Sequence, residues 1–301
     1  MPELPEVETI ARGLDTRLSG DTVESVWIGS RKQPLKSPAG VIAATLEGRR
    51  IVRVHRAGKH IVFDLAGESR PWRTRVSQTK RKSKVRRQTR QAASLQTPDL
   101  QTAQWIVHLG MTGRLVICEP AAEIAKHTHL IAKLASGREL RFIDPRMFGK
   151  LSVHLHPVGF DPGGVEPLEV SEQRFIALFR GRKTPIKSAL LNQKLLRGVG
   201  NIYADESLFR AGIRPRRRPA AITREQLGKL HQAVREVLRE AIALGGSSIS
   251  DYVDADGEEG FFQFQHRVYG REGEPCLVCG TAIRRVVLAG RSSHYCANCQ
   301  K

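Results

Sequence analysis

The sequence predicts an α+β fold in three parts: a β-sandwich or barrel with an N-terminal helix packed on it, a helical region, and a cysteine-bearing tail. Three observations carry that prediction. Val7, Ile10, Leu14 and Leu18 recur at helical spacing, and Gly20 follows as a stop signal. Short apolar runs come next, over Val23–Ile28, Ile51–His55, Ile61–Leu65, Trp105–Leu109, Leu115–Cys118, Leu130–Leu134 and Leu140–Ile143, many of them separated by Gly or Asp. One helix followed by many closely spaced strands packs as a layered β domain with the helix on one face. Past the Pro/Gly-rich stretch Pro157–Pro167 the pattern turns helical.

The first helix opens well, with Pro5 in its first turn beside Glu6 and Glu8, where a rigid φ and negative charge both suit a helix start. The same residues carry chemistry. Removal of Met1 turns Pro2 into a free secondary amine, and α-amino groups titrate near about 8, so part of the population is unprotonated at neutral pH and nucleophilic. Glu3 and Glu6 lie close enough in sequence to move protons for it. A plain helix start explains the same residues, so the motif alone leaves both readings open.

Residues 67–104 break the strand pattern. The stretch is basic, rich in Ser, Thr and Gln and poor in aliphatics, so it is expected to be a disordered insertion between two strands. It reads either as an arm gripping phosphates or as a solvated tail. Deleting a phosphate-gripping arm would flatten the salt dependence of nucleic-acid binding. The first domain is therefore set at 1–156 and a linker at 157–168. A helical domain over 169–264 follows, with Ser171 capping a helix over Glu172–Phe179 and further helices over Lys187–Leu196 and Ala204–Ala211. A Thr223/Gln226 capping box then opens a long helix ending near Gly245-Gly246. Residues 246–260 read as a mobile Gly/Ser/Asp-rich loop.

Composition supplies a partner class. Against 30 acidic residues stand 49 basic ones, a formal net charge of +19 with pI near 10.4, and such a balance points to polyanions, nucleic acid first. Ten of those basic residues crowd into 70–90 without an acid, so the rest keeps 19 − 10 = +9 and the inference survives without the tract. No apolar run approaches the ~18–20 residues of a membrane span and no targeting segment is read. Four of the five cysteines lie in the last 26 residues, which points to metal and away from a disulfide framework, so a reducing cytosolic location is expected.

The strongest single motif is Cys276-x2-Cys279-x16-Cys296-x2-Cys299, two knuckles joined by a segment long enough for a hairpin. Four thiolates close a tetrahedral shell, so one structural Zn2+ is expected and no catalytic metal. Arg284, Arg285 and Arg291 on such a stiff hairpin could reach a groove or a phosphate, but many zinc ribbons bind other proteins instead, so the ribbon alone leaves the partner open. Cys118, in an apolar strand, reads as a small buried residue. Gly198-Val199-Gly200-Asn201 lies between two helices, either an ordinary turn or a phosphate site at a helix start, with Arg180, Arg182, Lys183 and Lys187 just before it. His108–Gly113 (HLGMTG) and Asp144–Gly149 (DPRMFG) are turns that place Met111 and Phe148 beside glycines, as core residues or as wedges that unstack a base step.

Taken in order, PELPEVE, the Gly58-Lys59 turn, HLGMTG, DPRMFG, GVGNIYADESLF and the ending GRSSHYCANCQK resemble the formamidopyrimidine-DNA glycosylase family over the whole chain except 67–104. The resemblance implies a helix-two-turn-helix domain in the second region, with a lesion-capping loop over 246–264, and a zinc-finger β-hairpin over 267–301. It implies excision of 8-oxoguanine and formamidopyrimidines from duplex DNA, followed by β,δ-elimination at the abasic site. Pro2 would attack the sugar's anomeric carbon and form an iminium, with Glu3 as proton donor and Glu6 in support. Lys59 and Arg291 resemble the proton donors of the two eliminations, although an arginine seldom releases a proton and Arg291 suits a phosphate grip better. His127, Arg146, Arg182 and Asn201 match strand-binding positions, with Lys187 a further contact. Met111, Arg146 and Phe148 would fill the gap left by the extruded nucleotide. Double-stranded DNA carrying oxidised bases or abasic sites is then the partner, met by a monomer in the cytoplasm at the nucleoid. Three alternatives stay open: an endonuclease VIII-type enzyme acting on oxidised pyrimidines, a non-catalytic DNA- or RNA-binding zinc protein, and a zinc-ribbon protein-interaction module whose basic charge comes mainly from the insertion. Leu4 stands where the endonuclease VIII type has Gly, and a pure binder has no use for a terminal secondary amine.

Overall fold

The computed structural model describes residues 1–67, 103–155, 158–248 and 259–301. Most of the 67–104 insertion and the middle of the 246–264 loop lie outside the described residues. Ala103 and Gln104 already belong to a strand, because the apolar Ala103 pairs in register with Leu65.

Helix α1 (Leu4–Leu18) opens on a capping box in which the Glu3 backbone N–H donates to Glu6 Oε2 at 2.8 Å. Strands β1 (Val23–Ile28), β5 (Arg114–Cys118), β6 (Thr128–Leu134) and β7 (Glu139–Ile143) form one antiparallel sheet in the order β1-β6-β7-β5. Strands β2 (Arg50–Ala57), β3 (His60–Ala66), β4 (Ala103–His108) and β8 (Lys150–Leu155) form the other, in the order β2-β3-β4-β8. Between them Phe63 stacks on Trp105 with ring centroids 4.5 Å apart, in a core shared with Phe142, Leu14 and Leu18. Two elements escaped the sequence pattern: β8 and a short helix, α2 (Ala39–Leu46). Alternation in β8 is blurred by His154 and Ser152, and α2 carries no side-chain cap to announce it.

The helical part begins with α3 (Glu172–Phe179), capped as expected by Ser171, whose hydroxyl accepts from the Arg174 amide. The expected helix Lys187–Leu196 is instead the single turn α4 (Ile186–Leu190) followed by a turn. Asn192 and Gln193 cut it. The Asn192 side chain accepts from the Lys194 amide, and that of Gln193 ties Leu191 and Val199 carbonyls to the Gly198 amide. Helix α5 (Asn201–Arg210) starts three residues before the expected Ala204. Helix α6 (Arg224–Ala243) opens on the Thr223/Gln226 capping box. The tail ends in a hairpin, β9 (Ile283–Leu288) and β10 (Arg291–Cys296), with its turn at Ala289-Gly290, both at positive φ.

What matters for function is the seam. Leu4 packs into the helical core while Val7 and the rest of α1 pack into the sandwich, so the N-terminal segment lies where the two cores meet. Arg56 of β2 locks the seam, bonding Glu8 at 2.7 Å and Glu166 at 2.9 and 3.0 Å, and Arg197 adds a second cation to Glu166. The segment read as a linker, 157–168, is therefore pinned at Glu166. The finger is fastened to α5 by Glu206, whose buried carboxylate accepts the amides of Arg267, Val268 and Tyr269 at 2.8–3.0 Å.

Candidate active site and nucleic-acid interface

Backbone contacts set the site. The Leu4 amide donates to the Gly198 carbonyl at 3.0 Å, and Gly198 holds φ +90°, with room for no side chain because a Cβ would come within 2.7 Å of Leu4. Two residues on, a Cβ on Gly200 would overlap the Glu3 carboxylate at 2.1 Å. The helix start that resembled a phosphate site thus receives a carboxylate from within the chain: Glu3 Oε1 accepts the Ile202 amide at 3.2 Å. Glu3 is 4% exposed, and among the described residues no donor reaches its Oε2.

Burial pushes the Glu3 carboxyl up to about 7, with Glu6 adding to the rise, while Lys59, the Ile202 amide and the chain terminus pull it back. Glu6 is also raised by burial, and is held by the Tyr203 hydroxyl, the Ser247 amide at 2.8 Å and the Glu3 amide. Lys59 sits in the two-residue turn between β2 and β3, where burial lowers its ammonium, Glu3 and Glu6 raise it and Arg291 lowers it again. Pro2 is half-buried beside them and Arg291 lies exposed at the start of β10. Glu3, Glu6, Lys59 and Arg291 therefore form one electrostatic group drawn from three separate segments. A carboxylic acid poised near neutrality beside a desolvated amine can give or take a proton at working pH.

A second group lines the β4–β5 and β7–β8 turns. Gly110 and Gly149 are packed so closely that a Cβ on Gly110 would lie 2.5 Å from the Gly149 nitrogen. Asp144, fully buried, ties both turns: it accepts the Thr112 hydroxyl and the Gly149 amide, each at 2.7 Å. The result pushes Met111 and Phe148 outward, 41% and 52% exposed, with the Arg146 guanidinium 5.0 Å from the Phe148 ring centroid. Of the two readings of these turns, core filling is excluded. His127 is half-buried at the entry to β6, and Arg182 is exposed just after α3. Asn201 opens α5 with its Oδ1 buried and without a partner among the described residues, its amide facing the Tyr269 hydroxyl.

Lys187 is placed differently from expectation. It has no exposed side-chain surface, pairs with Asp205 at 2.7 Å and donates to the Ser292 carbonyl at 2.5 Å, so it is an internal strut between α4, α5 and the hairpin and no surface phosphate contact. Sequence reasoning also passed over Tyr203, Ser247, Asp144 and Asp205. Tyr203 lies within the GVGNIYADESLF run and two residues past Asn201, but nothing local marks its hydroxyl as facing Glu6.

Cys276, Cys279, Cys296 and Cys299 bring their four sulfurs within 4.8 Å of one another, with Cys276 to Cys299 at 3.9 Å and Cys279 to Cys296 at 3.5 Å. A tetrahedral site with metal–sulfur bonds of about 2.3 Å needs sulfurs about 3.8 Å apart, so the set fits a metal ion. No described helix is long and apolar enough to cross a membrane.

Known proteins resemble this chain along its whole length. Residues 1–151 match the formamidopyrimidine-DNA glycosylase N-terminal domain, 164–253 the H2TH domain of the same proteins, and 273–301 a zinc finger found in FPG and IleRS. The chain is 43% identical to a formamidopyrimidine-DNA glycosylase of Solibacter usitatus and 37% identical to that of Gluconobacter oxydans, covering all of each. The crystal structure of MutM (Fpg) from Thermus thermophilus superposes with a TM-score of 0.78 at 37% identity, over 99% of this chain and 98% of that one. A Lactococcus lactis Fpg mutant in complex with Fapy-dG-containing DNA gives 0.81 at 29% identity over the full length of both. Fold and site together define a DNA glycosylase of base excision repair. The chain belongs to the formamidopyrimidine-DNA glycosylase family, whose members remove oxidised purines and characteristically cleave the abasic site as well.

Proposed function

We propose that Pro2, freed by removal of Met1, is the nucleophile of this chain, and that Glu3 is its acid. The supporting observation is the buried Glu3–Glu6 pair that fixes the N-terminal segment beside Lys59 and Arg291. The Pro2 nitrogen forms a bond to the sugar C1′ as the bond to the damaged base breaks; the base leaves with its electrons and takes up the proton that the Pro2 nitrogen sheds. Glu3, protonated up to about pH 7, hands its proton to the ring oxygen as the sugar opens. The resulting iminium has no N–H to lose and stays cationic, so it acidifies the C2′ proton and the 3′ phosphate departs. A second elimination releases the 5′ phosphate. Lys59, with its ammonium lowered by burial, is the donor for the first step, and Arg291 grips phosphate during the second. Glu6 holds the Glu3 backbone and takes no proton from substrate.

The strand is bound by His127, Arg146, Arg182 and Asn201, while Met111, Arg146 and Phe148 enter the duplex where the nucleotide leaves. Zn2+ is the metal of the four-cysteine set; when bound it fixes the hairpin that carries Arg291 and supplies no step of the reaction. The domain limits are 1–156 for the sandwich, 169–264 for the helical part with its capping loop from 246, and 267–301 for the finger. The enzyme acts as a monomer at the nucleoid, since one lesion in a duplex offers no twofold axis.

Borohydride tests the reading. Incubated with a duplex carrying 8-oxoguanine opposite cytosine, the chain is expected to form a covalent adduct that a Pro2→Ala variant and an N-terminally blocked chain both fail to form. A Lactococcus lactis relative has been crystallised with oxidised-pyrimidine DNA, so the same assay is run on such a duplex. Faster trapping there would move the assignment to the pyrimidine-preferring class, and no trapping on either would leave a non-catalytic binder.

A further inference from the structure

Between the finger and Glu6 runs a chain of buried contacts that the reaction scheme leaves without a role. It starts at His266, 8% exposed, whose ring stands edge-on to Phe262 at 5.5 Å and to Tyr269 at 5.6 Å. Burial lowers the imidazole to about 4, so it is neutral at working pH, and the Tyr269 backbone, which pulls the other way, favours a proton on the ring nitrogen facing it. Nε2 is then the acceptor, and it lies 3.2 Å from the buried Ser247 hydroxyl, which donates to it. Ser247 in turn points its amide at Glu6 Oε1 at 2.8 Å, and Glu6 Oε2 holds the Glu3 amide at 2.8 Å. The backbone is pressed against Glu6 here: Gly246 holds φ +87° and a Cβ on it would lie 2.9 Å from the Glu6 side chain. Phe262 closes the loop from the other side, its amide on the Gly246 carbonyl at 2.9 Å.

We propose that His266 is a positioning residue for the terminal nucleophile, acting through Ser247 and Glu6 on the backbone that carries Pro2. The inference rests on the assignment of Pro2 as nucleophile. Glu6 accepts from three directions at once, from Tyr203, Ser247 and Glu3, so the orientation of its carboxylate depends on where Ser247 is held. His266 holds Ser247 by its hydroxyl. Losing that anchor frees the Ser247 amide to turn, loosens Glu6, and with it the Glu3 amide one residue from the attacking nitrogen.

Full-length His266→Phe keeps a ring for Phe262 and Tyr269 but has no acceptor, His266→Gln restores an acceptor, and Ser247→Ala removes the hydroxyl while keeping the amide. Each is measured by single-turnover borohydride trapping on an 8-oxoguanine duplex and on a duplex with a preformed abasic site, alongside equilibrium binding to an uncleavable duplex. His266→Phe is expected to slow trapping about fivefold, the worth of one hydrogen bond, on both duplexes and with unchanged binding affinity. His266→Gln is expected to recover most of that loss. Ser247→Ala should match His266→Phe, and the double variant should be no slower than either, because both remove the same link. A His266→Phe enzyme at the wild-type rate, a defect confined to the 8-oxoguanine duplex, or a Gln variant as slow as Phe would each overturn the inference. Failure of the wild-type chain to trap at all would remove the Pro2 assignment itself, and the inference with it.

Discussion

The seam that holds the N-terminus and the rim that carries Met111, Arg146 and Phe148 are built on opposite physical terms. At the seam, charge is buried and surrounded: Glu3, Glu6, Lys187 and Asp205 are almost without exposed surface, and the first two have their ordinary titration displaced upward. On the rim, apolar and cationic side chains stand exposed on turns whose backbone is rigid because Asp144 and the Gly110–Gly149 contact hold it. The seam spends folding energy on shifting proton affinity. The rim keeps its binding surface free and relies on its substrate to cover it. A substitution at the seam should therefore change chemistry or stability, and one on the rim should change DNA binding.

The largest effect is expected from Glu3→Gln. General acid catalysis is worth about 10²–10⁴ in rate, so base excision should fall by that much while the uncleaved duplex binds as before. The pH dependence carries a signature. Glu3 is raised to about 7 in the folded chain, so it keeps its proton below that pH and loses it above, while the Pro2 amine gains its unprotonated form up to about 8. Wild-type kcat/KM should level off between about pH 7 and 8 and fall tenfold per unit above, and Glu3→Gln should rise to about 8 with no falling limb. A limb unchanged in the variant would assign it to another group.

Lys187 and Arg182 make the contrast sharper, because both sit in the same basic run and only one is exposed. Lys187→Met leaves Asp205 buried without its cation and is expected to cost about 3–5 kcal/mol of stability, read from denaturant unfolding. Arg182→Ala loses only an exposed bond to the Leu178 carbonyl, so it should cost no more than about 1 kcal/mol of stability, and it should reduce the slope of log affinity against log salt by about 0.9, one phosphate contact. Equal effects of the two on the salt slope would erase the distinction between strut and contact. A smaller change still is expected from Met111→Ala, which should weaken binding to a lesion duplex without altering the salt slope at all, since it neutralises no phosphate.

Much of this was legible from residues close together in the chain. The Thr223/Gln226 and Ser171 caps, the strand runs and the paired Cys-x2-Cys knuckles are local patterns, and each appears where local physics puts it. The exposed pair Met111 and Phe148 could be read because glycines flank them on turns. The helix expected over Lys187–Leu196 failed because Asn192 and Gln193 satisfy backbone groups with their side chains, a competition that apolar periodicity does not register. Lys187 looked like one more surface cation, since its partners Asp205 and Ser292 lie 18 and 105 residues further on. The meeting of Glu6 with Ser247, 241 residues apart, was likewise beyond any spacing argument, and so was the displacement of Glu3, which depends on the whole enclosure.

Two amines compete for the role of nucleophile at the seam, the Pro2 nitrogen and the Lys59 side chain, whose ammonium is lowered by burial. Peptide mapping of the borohydride-reduced adduct decides between them. The deoxyribose remnant is expected on the N-terminal peptide, attached to Pro2 with Met1 absent. A remnant found on the peptide containing Lys59, or a functional enzyme that retains Met1, would contradict the account.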